Sequence, residues 1–349
     1  MSSPAPFRQR HSPVLISIVN YRTSALVIDC LASLAGEIAA YPQAHAVIVD
    51  NASGDGSAER IAAAIEENGW QKWTSLVASS SNGGFSYGNN LAVASAPAGF
   101  VPCFVWLLNP DTRVRPGALL ALLDFMHAHP CAGVAGTLLE DGDGVVWPYA
   151  FRFPTVAGEV ERAAKLRLVS RLLQNRAIPR KMDARPAQVD WVSGASMMIR
   201  AGIFDAIGPM DEGYFLYFEE TDFCLRARRA GWQCWYVPDA RVLHIAGQST
   251  GITGKNAVVP RMPAYWFESR RRYFLKNHGH GYAICADMAW MIAHLFWRIR
   301  RRLQALPDTD PANLLSDFFA HSALRQPLLN RAANDKDGSA TARPEMRTT

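Results

Sequence analysis

The sequence predicts an α/β fold on a mostly parallel, helix-flanked sheet with a helical C-terminal extension. Three observations predict it. Short apolar runs bounded by turn residues alternate with stretches whose apolar residues recur at helical spacing, as strand–helix–strand units do. Several runs end in polar or acidic residues, among them Asn20, Asp50 and Asn109, and open α/β sheets bind ligands at such carboxyl ends. Finally, 349 residues, 49% of them hydrophobic and 19% charged, suffice for one large domain or two modest ones with a real core.

The elements follow in order. Residues 1–13 read as a flexible leader, 14–20 (VLISIVN) as a buried strand and 24–40 as a helix with Leu26, Leu31, Leu34 and Ile38 at helical spacing. A second strand, 46–49, stops at Asp50, and the turn VDNASGDGS leads into a helix over 58–67. In 81–94 (SNGGFSYGNNLAVA), Gly83 and Gly84 precede an apolar helix opened by Asn89 and Asn90. Paired glycines permit positive φ, and free N–H groups at a helix start can meet phosphate. The run 105–108, between Pro102 and Pro110, is another strand. A helix over 116–129, with Pro116 in its first turn, and a strand at 134–138 follow. Residues 139–190 lack clear strand signals and read as a loop or helical insertion over one face of the sheet. From 191 the pattern returns: a strand at 196–199, a short helix around 203–207, an aromatic, strand-like run at 214–218, a helix begun by Asp222 and short strands at 235–237 and 241–243.

Charge and cysteine content narrow the function classes. The net charge of +5 is mild and concentrated at Arg270, Arg271, Arg272 and Lys276 and at Arg298, Arg300, Arg301 and Arg302, so general nucleic-acid binding is not implied. The six cysteines are scattered with no C-x-x-C pair, which reads as reduced thiols and favours the cytosol. The apolar run 14–19 is too short for a signal-peptide core, so secretion is not expected.

Residues 106–114 (WLLNPDTRV) deliver Asn109 and Asp111 into a turn at a strand end. Two oxygen-bearing side chains one residue apart can share a hard cation and, through it, a diphosphate; Asn-Pro-Asp is equally ordinary turn chemistry. Asp50, beside Asn51 and Ser53, suits either hydrogen bonds to a base or ribose or the capping of the next helix. Glu219, Glu220 and Asp222 put three carboxylates within four residues, which must be solvated, bound to a cation or held with raised pKa. Asp222 also suits a helix cap, and His244 at a strand end suits either a structural or a ligand role.

Seven segments occur in order: VNYR (19–22), VDNASGDGS (49–57), NGGFSYGNN (82–90), LLNPDTRV (107–114), WVSGASMMIR (191–200), GYFLYFEETDFCLRARRAGW (213–232) and VLHIAGQSTG (242–251). Together they resemble the inverting family 2 glycosyltransferases with a GT-A fold, most closely the bacterial rhamnosyltransferase-like branch, over about residues 14 to 280. The resemblance implies a GT-A domain over 14–260, with a nucleotide-sugar-binding half (14–138), a variable insertion (139–190) and an acceptor or catalytic half (191–260). A helical, basic extension (261–330) and a disordered tail (331–349) would follow.

The resemblance also implies roles. Asn20 and Asp50 would touch the nucleoside of a dTDP- or UDP-sugar, and Asn82, Gly83 and Asn109 would approach the same donor. Asp111 would hold a divalent cation, Mn2+ or Mg2+, with His244 as a further metal ligand. Glu220 would be the catalytic base, with Trp191, Gly194, Glu219 and Asp222 on the acceptor side or supporting it. Two departures from the family pattern stand out: Asn109 replaces the first Asp of the Asp-x-Asp motif, and Glu220 replaces the more usual Asp, which keeps Glu219 open as a substitute. The sugar implied is L-rhamnose and the acceptor a growing glycan or polyprenyl-diphosphate-linked saccharide.

Residues 265–276 and 282–303 are aromatic and apolar and carry the Arg clusters. Asp287 and His294 interrupt the second, so it reads as an interfacial helix on anionic lipid, with Trp290, Phe296 and Trp297 as its belt, or as a helix packed on the domain. The expected location is the cytoplasm, peripheral to the inner face of the plasma membrane. Two other classes stay open. A nucleotidyltransferase would show a Gly-rich triphosphate loop with Lys or Arg near the N-terminus, and none is visible. A non-catalytic membrane scaffold would leave Asp111, His244 and the carboxylate cluster without purpose.

Overall fold

The computed structural model describes residues 12–245, except 142, 144 and 148, and residues 261–326. The leader (1–13), the tail (331–349) and the end of the seventh motif (246–251) lie wholly or largely outside the described residues. The first half runs β1 (Val14–Asn20), α1 (Ser24–Ala40), β2 (Ala44–Asp50), α2 (Ser57–Glu67), β3 (Thr74–Ala78), α3 (Gly84–Ala94), β4 (Phe104–Leu108), β5 (Thr112–Val114), α4 (Ala118–Ala128) and β6 (Ala132–Glu140). There follow β7 (Val146–Trp147), β8 (Tyr149–Phe151), α5 (Val156–Ala164), α6 (Arg167–Leu172), β9 (Pro179–Lys181) and β10 (Ala187–Val189). The remainder is β11 (Ser196–Arg200), α7 (Gly202–Ile207), α8 (Glu219–Arg229), β12 (Gln233–His244), α9 (Ala264–His278), α10 (His280–Leu303) and α11 (Leu314–Ala320).

The main sheet has the order β10-β12-β6-β11-β4-β1-β2-β3. β1 pairs parallel with β2 and β4, β2 with β3, and β12 with β6; β11 alone among the long strands is antiparallel, wedged between β4 and β6. Alternation along each strand feeds two cores. Val14, Ile16, Ile18, Ile48 and Trp106 pack with Val27, Leu31 and Leu34 of α1 and Leu119 and Leu122 of α4. Leu15, Val47, Val49, Val105 and Leu107 pack on the other face with Phe223 of α8 and Tyr273 and Phe274 of α9. Burial on both faces explains why these strands read as unbroken apolar runs.

Three expectations are corrected. The segment 139–190 holds strands as well as helices, and β10 joins the edge of the main sheet. The pieces at 235–237 and 241–243 are one strand, β12, with a bulge between Val237 and Arg241. The aromatic run 214–218 is not a strand but a bent loop with left-handed Tyr217 and Phe218, both at φ 69. Its carbonyls are taken elsewhere: Phe85 N–H donates to Phe215 O at 2.9 Å and Ser269 Oγ to Leu216 O at 2.9 Å.

The C-terminal helices form a third cluster around Phe267, Trp290, Ala293 and Phe318. Trp290 and Trp297, read from sequence as parts of a membrane belt, are buried, as are Asp287 and His294. At its centre Arg270 of α9 bridges Glu159 of α5 and Asp287 of α10, all three buried. A second network ties α9 to the start of α8. Arg272 and Lys276 clasp Asp211, while Lys276, Arg226 and Asn277 bind the fully buried Asp222. Much of the basic cluster around Arg270 is therefore internal wiring. Among the described residues no helix is long and apolar enough to cross a membrane.

These networks generate a stability prediction. Burial alone would raise the Asp211 carboxyl, but the hydrogen bonds and charges of Arg272 and Lys276 outweigh it and hold it down to about 2. A carboxyl lowered on folding adds stability above its unfolded value and loses it as pH falls through the folded one, here roughly 2 kcal/mol vanishing between about pH 4 and 2. Urea denaturation of Asp211→Asn should show that deficit at pH 6 and a closing gap toward pH 2. Arg270→Met, which strands Glu159 and Asp287 without their shared cation, should cost about 3–5 kcal/mol at pH 7 in the same assay.

Candidate active site

The carboxyl edge of β1, β2 and β4 carries a cleft of about 280 Å³, walled by Asn51, Asn82, Phe85, Asn109, Phe215 and Tyr265. Parallel strands end there with their backbone donors and acceptors spent, leaving side chains and loops to meet a ligand.

Asn20 and Asp50, opposite one another at the ends of β1 and β2, are buried and bonded together. Asn20 Nδ2 donates to Asp50 Oδ1 at 2.6 Å, and Ser53 donates to the same carboxylate through Oγ and N–H. Asn20 Oδ1 accepts from Thr23 N–H and Oγ1. The pair therefore holds the β2–α2 turn rigid behind the cleft. Its neighbour Asn51 lines the cleft: Nδ2 donates to Asn82 Oδ1 at 2.9 Å and to Gly84 O at 3.0 Å, while its buried Oδ1 has no hydrogen-bond partner among the described residues.

The glycine pair is required by packing. Gly84 has φ +84, and a Cβ on it would lie 2.0 Å from Phe215 O. Gly83 sits under the Tyr87 ring, which a Cβ would strike at 2.4 Å, so Gly84 and not Gly83 borders the cleft.

β5 and β12 pair antiparallel with His244 opposite Thr112, and this brings the histidine to Asp111. His244 Nε2 lies 3.3 Å from Asp111 Oδ1, a buried oxygen with no hydrogen-bond partner among the described residues. Asn109 is held by its backbone, its N–H donating to Ala195 O at 3.0 Å and its carbonyl accepting from Thr112 Oγ1 at 2.7 Å.

Glu219 and Glu220 are the first residues of α8, where the helix dipole favours negative charge. The left-handed Tyr217 and Phe218 just before them are strained for non-glycine residues, as is common at functional sites. Glu219 is buried and Glu220 half-buried. Burial, then the charge of Glu220, push the Glu219 carboxyl well above the carboxylate range. Burial also raises Glu220, but N–H groups of the helix start and of Gly194 pull it back. Gly194 lies between Glu220 and the cleft wall Phe85: a Cβ there would lie 3.9 Å from Glu220 Oε1 and 3.1 Å from Phe85.

The remaining sequence-named residues support this arrangement. Trp191 stacks on Phe151 with ring centroids 4.2 Å apart, and its indole N–H donates to Arg152 O. Asp222 neither begins the helix nor faces open space; it is the fourth residue of α8, saturated by Arg226, Lys276, Asn277 and Tyr214. The sequence reading missed Phe215 and Tyr265 as cleft walls. Both are aromatic residues whose place depends on α9 folding back over the 214–218 loop, their rings 5.5 Å apart.

Similarity to known proteins agrees with this geometry. A model of the family described as glycosyltransferase like family 2 matches residues 11–259. An N-acetylglucosaminyl-diphospho-decaprenol L-rhamnosyltransferase of Mycobacterium tuberculosis is 31% identical over 230 residues, 65% of this chain and 67% of that one. The rhamnosyltransferase WbbL of Escherichia coli is 30% identical over 169 residues, 47% of this chain and 61% of that one. In fold, the chain is similar to a mannosyltransferase from Pyrobaculum calidifontis solved with GDP-Man and Mn2+, with a TM-score of 0.52 at 15% identity, covering 90% of this chain and 81% of that one. The nucleotidyltransferase and scaffold readings give way to this match, and the chain belongs to the family 2 glycosyltransferases, with a GT-A fold and a rhamnosyltransferase-like sequence.

Proposed function

We propose that the protein moves L-rhamnose from a dTDP- or UDP-linked donor to a hydroxyl of a polyprenyl-diphosphate-linked saccharide, at the cytoplasmic face of the membrane that holds such lipids. The observation that carries the reading is Asp111, next in the chain to the cleft residues Asn109 and Pro110, with a buried oxygen that has no hydrogen bond among the described residues and His244 3.3 Å from it. The names of the relatives, which include transfer of rhamnose to a decaprenyl-linked saccharide, support the choice of sugar and acceptor.

The residues present fit a divalent cation. A buried carboxylate oxygen without a hydrogen bond among the described residues, 3.3 Å from an imidazole nitrogen, is a donor set suited to Mn2+ or Mg2+. No three His, Cys, Asp or Glu side chains come together among the described residues, so oxygens of the donor diphosphate and water would complete the shell. When bound, the cation neutralises the charge that builds on the departing diphosphate. Asn109, neutral where the family more often has Asp, lowers the negative charge offered to it.

The chain's own groups do the rest. Asn51 and Asn82, bonded amide to amide, line the cleft that takes the nucleotide-sugar, and Phe215 and Tyr265 wall it. Glu220 takes the proton of the acceptor hydroxyl as its oxygen attacks the anomeric carbon from the face opposite the diphosphate. One C–O bond forms, the sugar–diphosphate bond breaks, and the configuration inverts. Glu220, the less buried of the two and the one held by N–H groups of the helix start and of Gly194, is the base in this reading.

Two measurements test this reading. Glu220→Gln should lower turnover about a hundredfold to ten-thousandfold with donor affinity nearly unchanged, and wild-type kcat should rise with pH through a value above the usual carboxylate range, because the raised group must be ionised to act. Near-normal turnover in Glu220→Gln with a dead Glu219→Gln would move the base by one residue, and a product retaining the donor configuration would reject single displacement. For the metal, thermal shift with dTDP-L-rhamnose should show manganese-dependent stabilisation in wild type and Asn109→Asp but none in Asp111→Ala. Manganese-dependent stabilisation of Asp111→Ala as large as that of the wild type would refute the metal assignment.

A further inference from the structure

The outward side of α10 carries an apolar stripe that the fold leaves uncovered among the described residues. Met288, Ile292, Leu295, Phe296, Ile299 and Leu303 recur at helical spacing, with Ile292 52%, Phe296 68% and Leu303 82% exposed. The inward side of the same helix is already satisfied by Trp290, Ala293 and Trp297. α6 adds Leu168 and Leu172, exposed by 62% and 75%, and buries none of its own residues. Between α5–α6 and α10 runs a groove of about 500 Å³ lined by Val160, Val169, Ile292 and Phe296, with Arg300 as its one charged wall. Contiguous exposed apolar surface of this kind marks an interaction face.

Charge identifies the occupant. Arg300 donates to Lys165 O and Arg301 pairs with Asp308, so these two are spent within the fold. Arg298 and Arg302 on α10 and Arg167 and Arg171 on α6 have no ion pair or hydrogen bond among the described residues. Four uncompensated cations beside an apolar ridge match an anionic leaflet, where acyl chains take the ridge and phosphates take the arginines.

The stripe also has a defined position relative to the cleft. α9 and α10 form a hairpin turned at Gly279, and the Phe318 ring stacks on Trp290 at 3.9 Å and meets Phe267 edge-on at 6.2 Å, setting residue 290 level with residue 267. The part of α10 beyond Trp290 therefore lies at the end of the hairpin that begins with Tyr265, a wall of the cleft. We infer that α6 and the outward face of α10 dock on an anionic phospholipid leaflet and hold the mouth of the active site at the membrane surface, where a lipid-linked acceptor presents its saccharide.

The test is co-sedimentation with phosphatidylcholine vesicles with and without phosphatidylglycerol. The wild type should bind the anionic vesicles and release with salt. Arg167→Gln/Arg171→Gln/Arg298→Gln/Arg302→Gln should weaken binding by about fivefold per charge, and Ile292→Ser/Phe296→Ser by about tenfold or more. Arg298 is half-buried and the other substituted residues are exposed, so both variants should melt close to the wild type. Glu220→Gln should bind vesicles normally, which separates failure of this docking face from failure of the sugar-transfer reading. No binding of the wild type at low ionic strength, or equal binding by the arginine variant, would overturn the inference. So would a wild-type dimer in ultracentrifugation that Phe296→Ser makes monomeric, since a second copy would then own the stripe.

Discussion

Everything at the site depends on the direction in which strands run. β1, β2 and β4 are parallel, so their carboxyl ends finish on one edge, with Asn20 opposite Asp50 and Leu108 beside Ile18. β11 runs the other way, and for that reason its beginning lies on the same edge, Ser196 opposite Leu108, with Gly194 just before it. β12 returns alongside β6 and, past its bulge, pairs with β5 to set His244 against Asp111. Backbone hydrogen bonds thus gather residues separated by more than a hundred positions, and side chains only refine the distances.

The electrostatics of the edge follow from burial. Two adjacent carboxyls in a low-dielectric setting cannot both be charged cheaply, and the start of α8 stabilises one charge through its free N–H groups. Burial raises both carboxyls, and N–H groups of the helix start and of Gly194 draw Glu220 back down. Left-handed Tyr217 and Phe218 are the conformational cost of aiming the chain into that helix start, of order 1–3 kcal/mol each. The clamp from Arg272 and Lys276 onto Asp211 and Asp222 is placed to offset it, since it fixes both the loop before α8 and the helix itself.

The C-terminal helices belong to the same machinery. α9 supplies Tyr265 to the cleft, Ser269 to the 214–218 loop and Arg272 and Lys276 to the clamp, while its Arg270 locks it to α5 and α10. A buried charge shared by three helices adds little net stability but tolerates few alternative packings, because any other arrangement strands Glu159 or Asp287. The segment between the two halves of the sheet, through Glu159, is therefore coupled to the site.

The sequence by itself determined the alternating elements, the parallel sheet and the polar residues at its strand ends, because two-sided burial writes continuous apolar runs and ligand edges write polar stops. The ordered motifs also carried the family, and with it Asp111, His244, Glu220 and the glycine loop. Only the tertiary structure decided how those residues divide the work. Asp50 and Asn20 spend their hydrogen bonds on each other, Asn51 ties Asn82 and Gly84 together at the cleft, and Asp222 is consumed by α9, distinctions that depend on partners far away in the chain. Trp290 and Trp297 turned inward while Phe296 and Leu172 stayed outside, because helical periodicity shows that a helix has two faces but not which face another helix will cover.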